Sequence, residues 1–144
     1  MKLIAKATIQ IGKPVHEVFE AIVDPAGMRN YFISESSGRM EEGSTVTWKF
    51  PEFEDKFPVN ITKVEKDRAV YFVWDKGTEV RINLEPFGPA TIVRVEEDGK
   101  EGSEENLKWV IQNTEGWANF LACMKAWLEH GVRLREGAFD FMKK

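Results

Sequence analysis

The side chains best suited to catalysis or metal binding are few in this sequence. It contains two histidines, His16 and His130, and one cysteine, Cys123. A zinc site needs three or four His, Cys or carboxylate ligands, and a cysteine nucleophile needs a neighbouring base. Because no such cluster accompanies these residues, the sequence predicts no catalytic residue, no metal site and no cofactor.

Structural roles explain the other polar residues that could take part in catalysis or ion binding. Asp24 precedes Pro25, a pattern typical of a helix N-cap followed by proline in the first turn. The acidic segment Glu52–Asp55 lacks the spacing of a calcium loop, so it is predicted to be a solvated hairpin tip. No glycine-rich phosphate loop or serine-centred elbow is present. The inner face of the predicted sheet carries almost no polar side chain, which disfavours acid–base catalysis.

Aromatic residues suggest a different chemistry, the binding of an apolar molecule. The chain has ten Phe, five Trp and two Tyr. Ligand pockets are mostly apolar and are lined by aromatic and sulfur-containing side chains. The same side chains can fill a core, and composition does not distinguish the two. The candidate ligand-binding residues are Met28, Phe32, Trp48, Phe50, Phe72, Trp74, Trp117, Phe120 and Met124.

Hydrophobic periodicity predicts the elements that carry these residues. Apolar and polar residues alternate over residues 3–11, which predicts a strand, and apolar positions from Val15 follow a helical period. A short second helix is predicted to begin at Pro25. From about residue 39 to residue 97 the period is two, as in an antiparallel sheet with one solvated face. Within this region, residues 51–58 are predicted to form a loop.

A long helix is predicted near the C-terminus, ended by Gly131 as its C-cap. One apolar stripe consists of Leu107, Val110, Thr114, Trp117, Leu121, Met124 and Leu128. An adjoining flank carries Trp109, Phe120, Cys123 and Trp127. Monomers seldom expose an apolar patch of this size, so we expect the tail to cover the flank, with the first helix or a second copy of the protein as the alternatives. The apolar tail residues are Leu134, Phe139, Phe141 and Met142.

The order of these elements predicts an α+β fold. A strongly curved antiparallel sheet of about six to seven strands would wrap around the long C-terminal helix, with two short helices after strand one. The 144 residues have the size of one domain, predicted to span residues 1–144.

Charge and hydropathy restrict the partners of the protein. The chain has 20 Lys and Arg against 24 Asp and Glu, a net charge of −4, and no basic patch. This balance argues against binding to nucleic acid. No apolar run is long enough for membrane insertion or resembles a secretory signal, so we expect a cytoplasmic protein.

Four sequence segments carry a likeness to a known family. They are Pro14–Phe19, Asp24-Pro25 with Tyr31-Phe32, Val73-Trp74 with Leu84-Glu85-Pro86, and Glu115-Gly116-Trp117 on the long helix. In this order and at these separations, the chain resembles the activators of the heat-shock protein 90 ATPase, specifically their C-terminal domain. That family lies within the START-like, helix-grip (SRPBCC) superfamily. The likeness spans nearly the whole chain.

This resemblance implies the helix-grip fold, with a hydrophobic cavity between the sheet and the long helix. It implies no single chemistry, because one fold hosts many functions. The leading hypothesis is a non-catalytic protein that binds a small hydrophobic molecule or lipid there. The alternative is a protein-interaction module that activates a chaperone ATPase, and the second alternative is a cyclase or hydrolase. The chain is expected to be a monomer or a weak dimer.

Overall fold

A computed structural model describes residues 1–74 and 77–143 of the chain. These residues form seven strands, three α-helices and one short 3₁₀ helix. In chain order the elements are β1 (Ala5–Ile11), α1 (Val15–Val23), α2 (Pro25–Met28), β2 (Glu35–Ser36), β3 (Thr45–Lys49), β4 (Lys56–Glu65), β5 (Ala69–Trp74), β6 (Thr78–Phe87), β7 (Ala90–Glu97), α3 (Glu104–His130) and the 3₁₀ helix Asp140–Met142.

All seven strands of the described residues belong to one antiparallel sheet, in the order β1-β7-β6-β5-β4-β3-β2. The first strand pairs with the last, from Ala5 opposite Glu97 to Ile11 opposite Thr91. The remaining neighbours follow chain order, as consecutive hairpins do. The curved antiparallel sheet and the long C-terminal helix confirm the predicted α+β, helix-grip fold.

The core lies between the apolar face of the sheet and the second half of α3. The strands β5, β6 and β7 bury alternate residues, which include Val70, Phe72, Val80, Ile82, Val93 and Val95. From α3 the buried residues are Trp117, Phe120, Leu121, Cys123 and Met124. Burial of one large apolar side chain is worth about 1.5–3 kcal/mol, so this layer holds helix and sheet together.

Polar contacts attach the end of α3 to the end of β1. Lys125 Nζ donates a hydrogen bond to the Gln10 carbonyl at 2.7 Å, and the Gly12 amide donates to Glu129 Oε2 at 2.8 Å. The bond from Gly12, with the one from Lys125, lowers the pKa of Glu129. Gly131 then ends the helix with φ +65°, which confirms the predicted C-cap.

The structure corrects two sequence expectations. Leu107, predicted to lie on the inner stripe of α3, is 49% exposed, because the buried residues of α3 all come from its second half. The predicted loop over residues 51–58 is too long, since Lys56, Phe57 and Pro58 already belong to β4. Phe57 lies opposite Trp48 there. Proline is tolerated near the start of a strand, and the described pairing of β4 with β5 begins only at Asn60.

Gly116 within α3 and Gly131 at its C-cap test the assigned helix geometry in opposite directions. We expect Gly131→Ala to lower the free energy of unfolding by about 1 kcal/mol, because a Cβ is strained at positive φ. Gly116→Ala should raise it by about 0.5–1 kcal/mol, because an added Cβ meets no atom within 4 Å and alanine favours helix. Urea unfolding followed by tryptophan fluorescence measures both. Equal shifts in the same direction would contradict the C-cap geometry.

Candidate functional site

An aromatic cleft of about 240 Å³ opens beside α3 and is open to solvent. Five parts of the chain form it: the segment after α2, the loop after β3, the end of β5, one side of α3 and the C-terminal tail. The lining residues are Phe32, Phe50, Glu52, Phe53, Trp74, Gln112, Asn113, Gly116, Trp117, Asn119, Phe120, Cys123, Arg135, Phe139 and Met142. The lining is therefore mostly apolar, with seven aromatic residues, and it includes three amide side chains and one ion pair.

The structure divides the nine predicted ligand-binding residues into two layers. Five line the cleft, namely Phe32, Phe50, Trp74, Trp117 and Phe120. The other four are at most 1% exposed and lie in the core: Met28, Trp48, Phe72 and Met124. Contact with a ligand stays a prediction for all nine residues.

Phe32 packs against aromatic rings from β3, β5, α3 and the loop after β3. Its ring meets Phe120 edge-on at 4.7 Å between centroids and Phe50 at 5.1 Å. Such pairs are worth about 0.5–1.5 kcal/mol beyond the area that they bury. The preceding residue, Tyr31, is fully buried and donates a hydrogen bond from its hydroxyl to a carbonyl of α1 at 2.8 Å. This burial raises the pKa of Tyr31 and anchors the segment that carries Phe32.

A buried carboxylate, that of Glu97, adjoins the cleft and was not among the predicted site residues. Glu97 is 1% exposed. Its Oε2 accepts hydrogen bonds from Trp74 Nε1 at 2.8 Å and Thr78 Oγ1 at 2.5 Å. Its Oε1 accepts from Asn113 Nδ2 at 2.7 Å and Trp117 Nε1 at 2.9 Å. Three of these four donors belong to residues that line the cleft.

The sequence contained a signal for Glu97. Val93, Val95 and Glu97 follow the period of two along β7, so all three face the core. The expectation that the inner face carries almost no polar side chain is therefore corrected by Glu97. Its partners could not be read from the same pattern, because Trp117 lies 20 residues further along the chain.

The bonding of Glu97 limits its chemistry. A carboxylate has about four acceptor positions, and four donors occupy those of Glu97. A general base must lie within hydrogen-bond reach of the proton that it abstracts. While these four bonds hold, Glu97 has no acceptor position left for a substrate. Its effect is to orient two indoles and one amide of the cleft.

The tail closes one side of the cleft through an ion pair. Arg135 donates to both oxygens of Glu52, at 2.9 and 2.8 Å, and these side chains are only 14% and 4% exposed. The guanidinium also lies over the rings of Phe50, at 5.5 Å, and Phe139, at 5.1 Å. The prediction of a solvated hairpin tip is therefore wrong at Glu52, because Arg135 covers it.

The expected covering of the α3 flank by the tail is partial. Two apolar tail residues, Phe139 and Met142, line the cleft together with Phe120 and Cys123. Leu134 and Phe141 are 51% and 80% exposed and do not line the cleft. The tail thus docks through Arg135 and Phe139 rather than through all of its apolar residues.

The two histidines lie outside the lining of the cleft, whereas Cys123 belongs to it. His16 Nδ1 is 2.8 Å from Asp67 Oδ1 on the surface, and His130 is the last residue of α3. Burial raises the pKa of the Cys123 thiol, which disfavours the reactive thiolate. Among residues 1–74 and 77–143, no group of three or more His, Cys, Asp or Glu could hold a metal ion. No helix of the described part is long and apolar enough to cross a bilayer.

Comparison with known proteins gives one family and several similar structures. The sequence model of the family described as "Activator of Hsp90 ATPase homolog 1-like protein" matches residues 13–129. Among curated proteins, no sequence matches the chain. The crystal structure of SSP2350 from Staphylococcus saprophyticus is 32% identical, with a TM-score of 0.83 over 92% of this chain and 96% of that one.

Two further structures are less similar in sequence and show the fold alone. The Aha1 dimer of Colwellia psychrerythraea is 21% identical, with a TM-score of 0.77 over 89% of this chain and 97% of that one. DynU16, a protein in the dynemicin biosynthetic locus, is 24% identical, with a TM-score of 0.81 over 92% of this chain and 49% of that one.

The role of Glu97 is tested by Glu97→Gln, with its chain neighbour as the control. The amide nitrogen cannot accept a hydrogen bond, so at least one indole donor loses its partner. We expect the free energy of unfolding to fall by about 1–3 kcal/mol and the indole N–H signals of Trp74 and Trp117 to shift in NMR spectra. Glu96→Gln, which weakens the partly buried contact with Arg81 instead, should leave those signals in place. Unchanged indole signals in Glu97→Gln would contradict the assigned bonds.

Proposed function

Since the chain belongs to the family of Activator of Hsp90 ATPase homolog 1-like proteins, we propose that it is a binding protein that holds a small hydrophobic ligand in the aromatic cleft. The observation that carries this proposal is the cleft itself. Rings from separate parts of the fold converge on one open space, and no charged group of that lining is without a partner, since Glu52 and Arg135 pair with each other.

The volume of the cleft restricts the size of the ligand. A cavity of about 150 Å³ accommodates benzene, whereas clefts for drug-sized molecules measure about 300–1,000 Å³. The value of about 240 Å³ lies between these limits. It favours one ring, two fused rings or a short aliphatic chain over a sterol or a long acyl chain. The amides of Gln112 and Asn119 lie in the same lining and offer polar contacts.

The titratable groups of the cleft favour binding over catalysis. The carboxylate of Glu52 is engaged by Arg135, and that of Glu97 has four donors. The remaining candidate nucleophile, Cys123, has a raised pKa. Each group is therefore held in a state that opposes proton transfer or nucleophilic attack.

Gly116 allows the cleft to be blocked without disturbing the core. It lines the cleft, and a Cβ built there meets no atom within 4 Å. The neutral probe 2-naphthalenemethanol should bind the wild-type protein, as measured by isothermal titration calorimetry. Gly116→Leu should weaken this binding by about tenfold or more, which corresponds to about 1.4 kcal/mol, because the new side chain occupies the ligand space.

Glu115→Leu is the matched control, because it adds the same side chain at an exposed position outside the cleft lining. It should bind the probe as the wild type does. Equal affinity in Gly116→Leu and the wild type would show that the probe binds elsewhere. No binding to the wild type would contradict the proposed function.

A protein-interaction module is the second candidate function, and the first half of α3 favours it. Leu107 and Ile111 lie one turn apart on α3 and are 49% and 61% exposed. An apolar pair of this kind on a helix can dock against a partner protein. The family description names activation of the Hsp90 ATPase, so the partner proposed for this face is a chaperone of that type.

A coupled ATPase assay with the Hsp90-type chaperone tests this second function. Saturating wild-type protein should raise the ATPase rate, and the double variant Leu107→Ser/Ile111→Ser should not, because both apolar contacts are removed. Gly116→Leu should still activate, since it blocks the cleft and leaves this face intact. An unchanged rate with the wild-type protein would exclude the chaperone function.

A further inference from the structure

A polar groove adjoins the aromatic cleft. It has a volume of about 910 Å³ and runs between the segment after α2 and the C-terminal tail. The cleft and the groove share three lining residues, Phe32, Glu52 and Arg135. The Glu52–Arg135 pair thus lies where an apolar compartment meets a polar one.

The side chains that line the groove carry a net positive charge in a protein that is acidic as a whole. Four basic and three acidic side chains line it, whereas the chain has a net charge of −4. Arg135 is neutralised by Glu52, and Lys143 lies 3.2 Å from Asp140. Within the described residues, Arg29 and Arg133 have no carboxylate oxygen within 4 Å. Apart from the two paired carboxylates, the one acidic side chain of the groove lining is that of Glu136 on the tail.

Arg133 is already held in place for recognition. Its Nη2 donates to Asn30 Oδ1 at 2.7 Å, and its guanidinium lies 5.7 Å from the centre of the Trp127 ring. These contacts leave other N–H donors of the Arg133 guanidinium available to a ligand. Arg29 is the chain neighbour of Asn30, and both arginines line the groove.

We propose that the ligand is a small amphiphile, with an aromatic or short aliphatic body in the cleft and a carboxylate in the groove beside Arg29 and Arg133. This inference rests on the proposed binding function and adds the charge and orientation of the ligand. Guanidinium groups bind carboxylates through paired, charge-assisted hydrogen bonds. A cationic group in the groove would meet two arginines that have no carboxylate partner, and this repulsion costs affinity.

A charge series on one ring system tests the inference. The probes are 2-naphthoate, 2-naphthalenemethanol and 2-naphthylmethylamine, which carry a negative, zero and positive charge at pH 7. Calorimetry at low salt should show 2-naphthoate binding about tenfold more tightly than the neutral probe, and the amine most weakly. The advantage of 2-naphthoate should shrink as salt is added.

The double variant Arg29→Gln/Arg133→Gln should reduce the affinity for 2-naphthoate to that for the neutral probe and leave the neutral probe unaffected. The control Arg68→Gln/Arg94→Gln removes the same charge outside the cleft and the groove and should change neither affinity. If Arg29→Gln/Arg133→Gln no longer bound any of the three probes, the arginines would have a structural role and the inference would be overturned.

The probe series separates this inference from the proposed function. Equal binding of the three probes, or tightest binding of the amine, would overturn the carboxylate assignment while the hydrophobic binding function stands. If none of the three binds the wild-type protein, the proposed function fails, and the inference fails with it.

Discussion

The arrangement of sheet, helix and cleft depends on one buried carboxylate and the donors that surround it. A carboxylate at 1% exposure is costly unless hydrogen bonds replace its water. Glu97 on β7 accepts them from Trp74 on β5, Thr78 on β6, and Asn113 and Trp117 on α3. One side chain therefore joins three strands to the helix, and it sets how α3 is rotated and placed above the sheet.

The same bonds decide what the cleft presents to a ligand. Both indole N–H groups point to Glu97, and the two rings lie 5.3 Å apart between centroids at an angle of 36°. The indole N–H groups of Trp74 and Trp117 are thus satisfied within the protein, and the apolar parts of the two rings line the cleft. An aromatic cleft can adjoin a charged group here because the protein itself occupies all acceptor positions of that group.

A second constraint, the Glu52–Arg135 ion pair, sets the outer boundary of the cleft. A buried pair contributes little net stability, because desolvation of both charges offsets their attraction, but the loss of either partner is costly. The pair therefore determines where the tail docks more than how tightly it does so. With Phe50 and Phe139 around the guanidinium, the pair lies where the aromatic cleft meets the polar groove.

Local patterns in the sequence determined the order of the main elements and the ends of helices, although not the start of β4. The N-cap at Asp24 and the C-cap at Gly131 depend only on residues a few positions away. Only the tertiary structure decided which inward-facing residues are core and which line the cleft. Phe72 and Trp74 share one face of β5, yet Phe72 is fully buried and Trp74 lines the cleft. Glu52 likewise meets a partner 83 residues away. Periodicity reports the face on which a side chain lies, whereas its partners come from distant segments that only folding brings there.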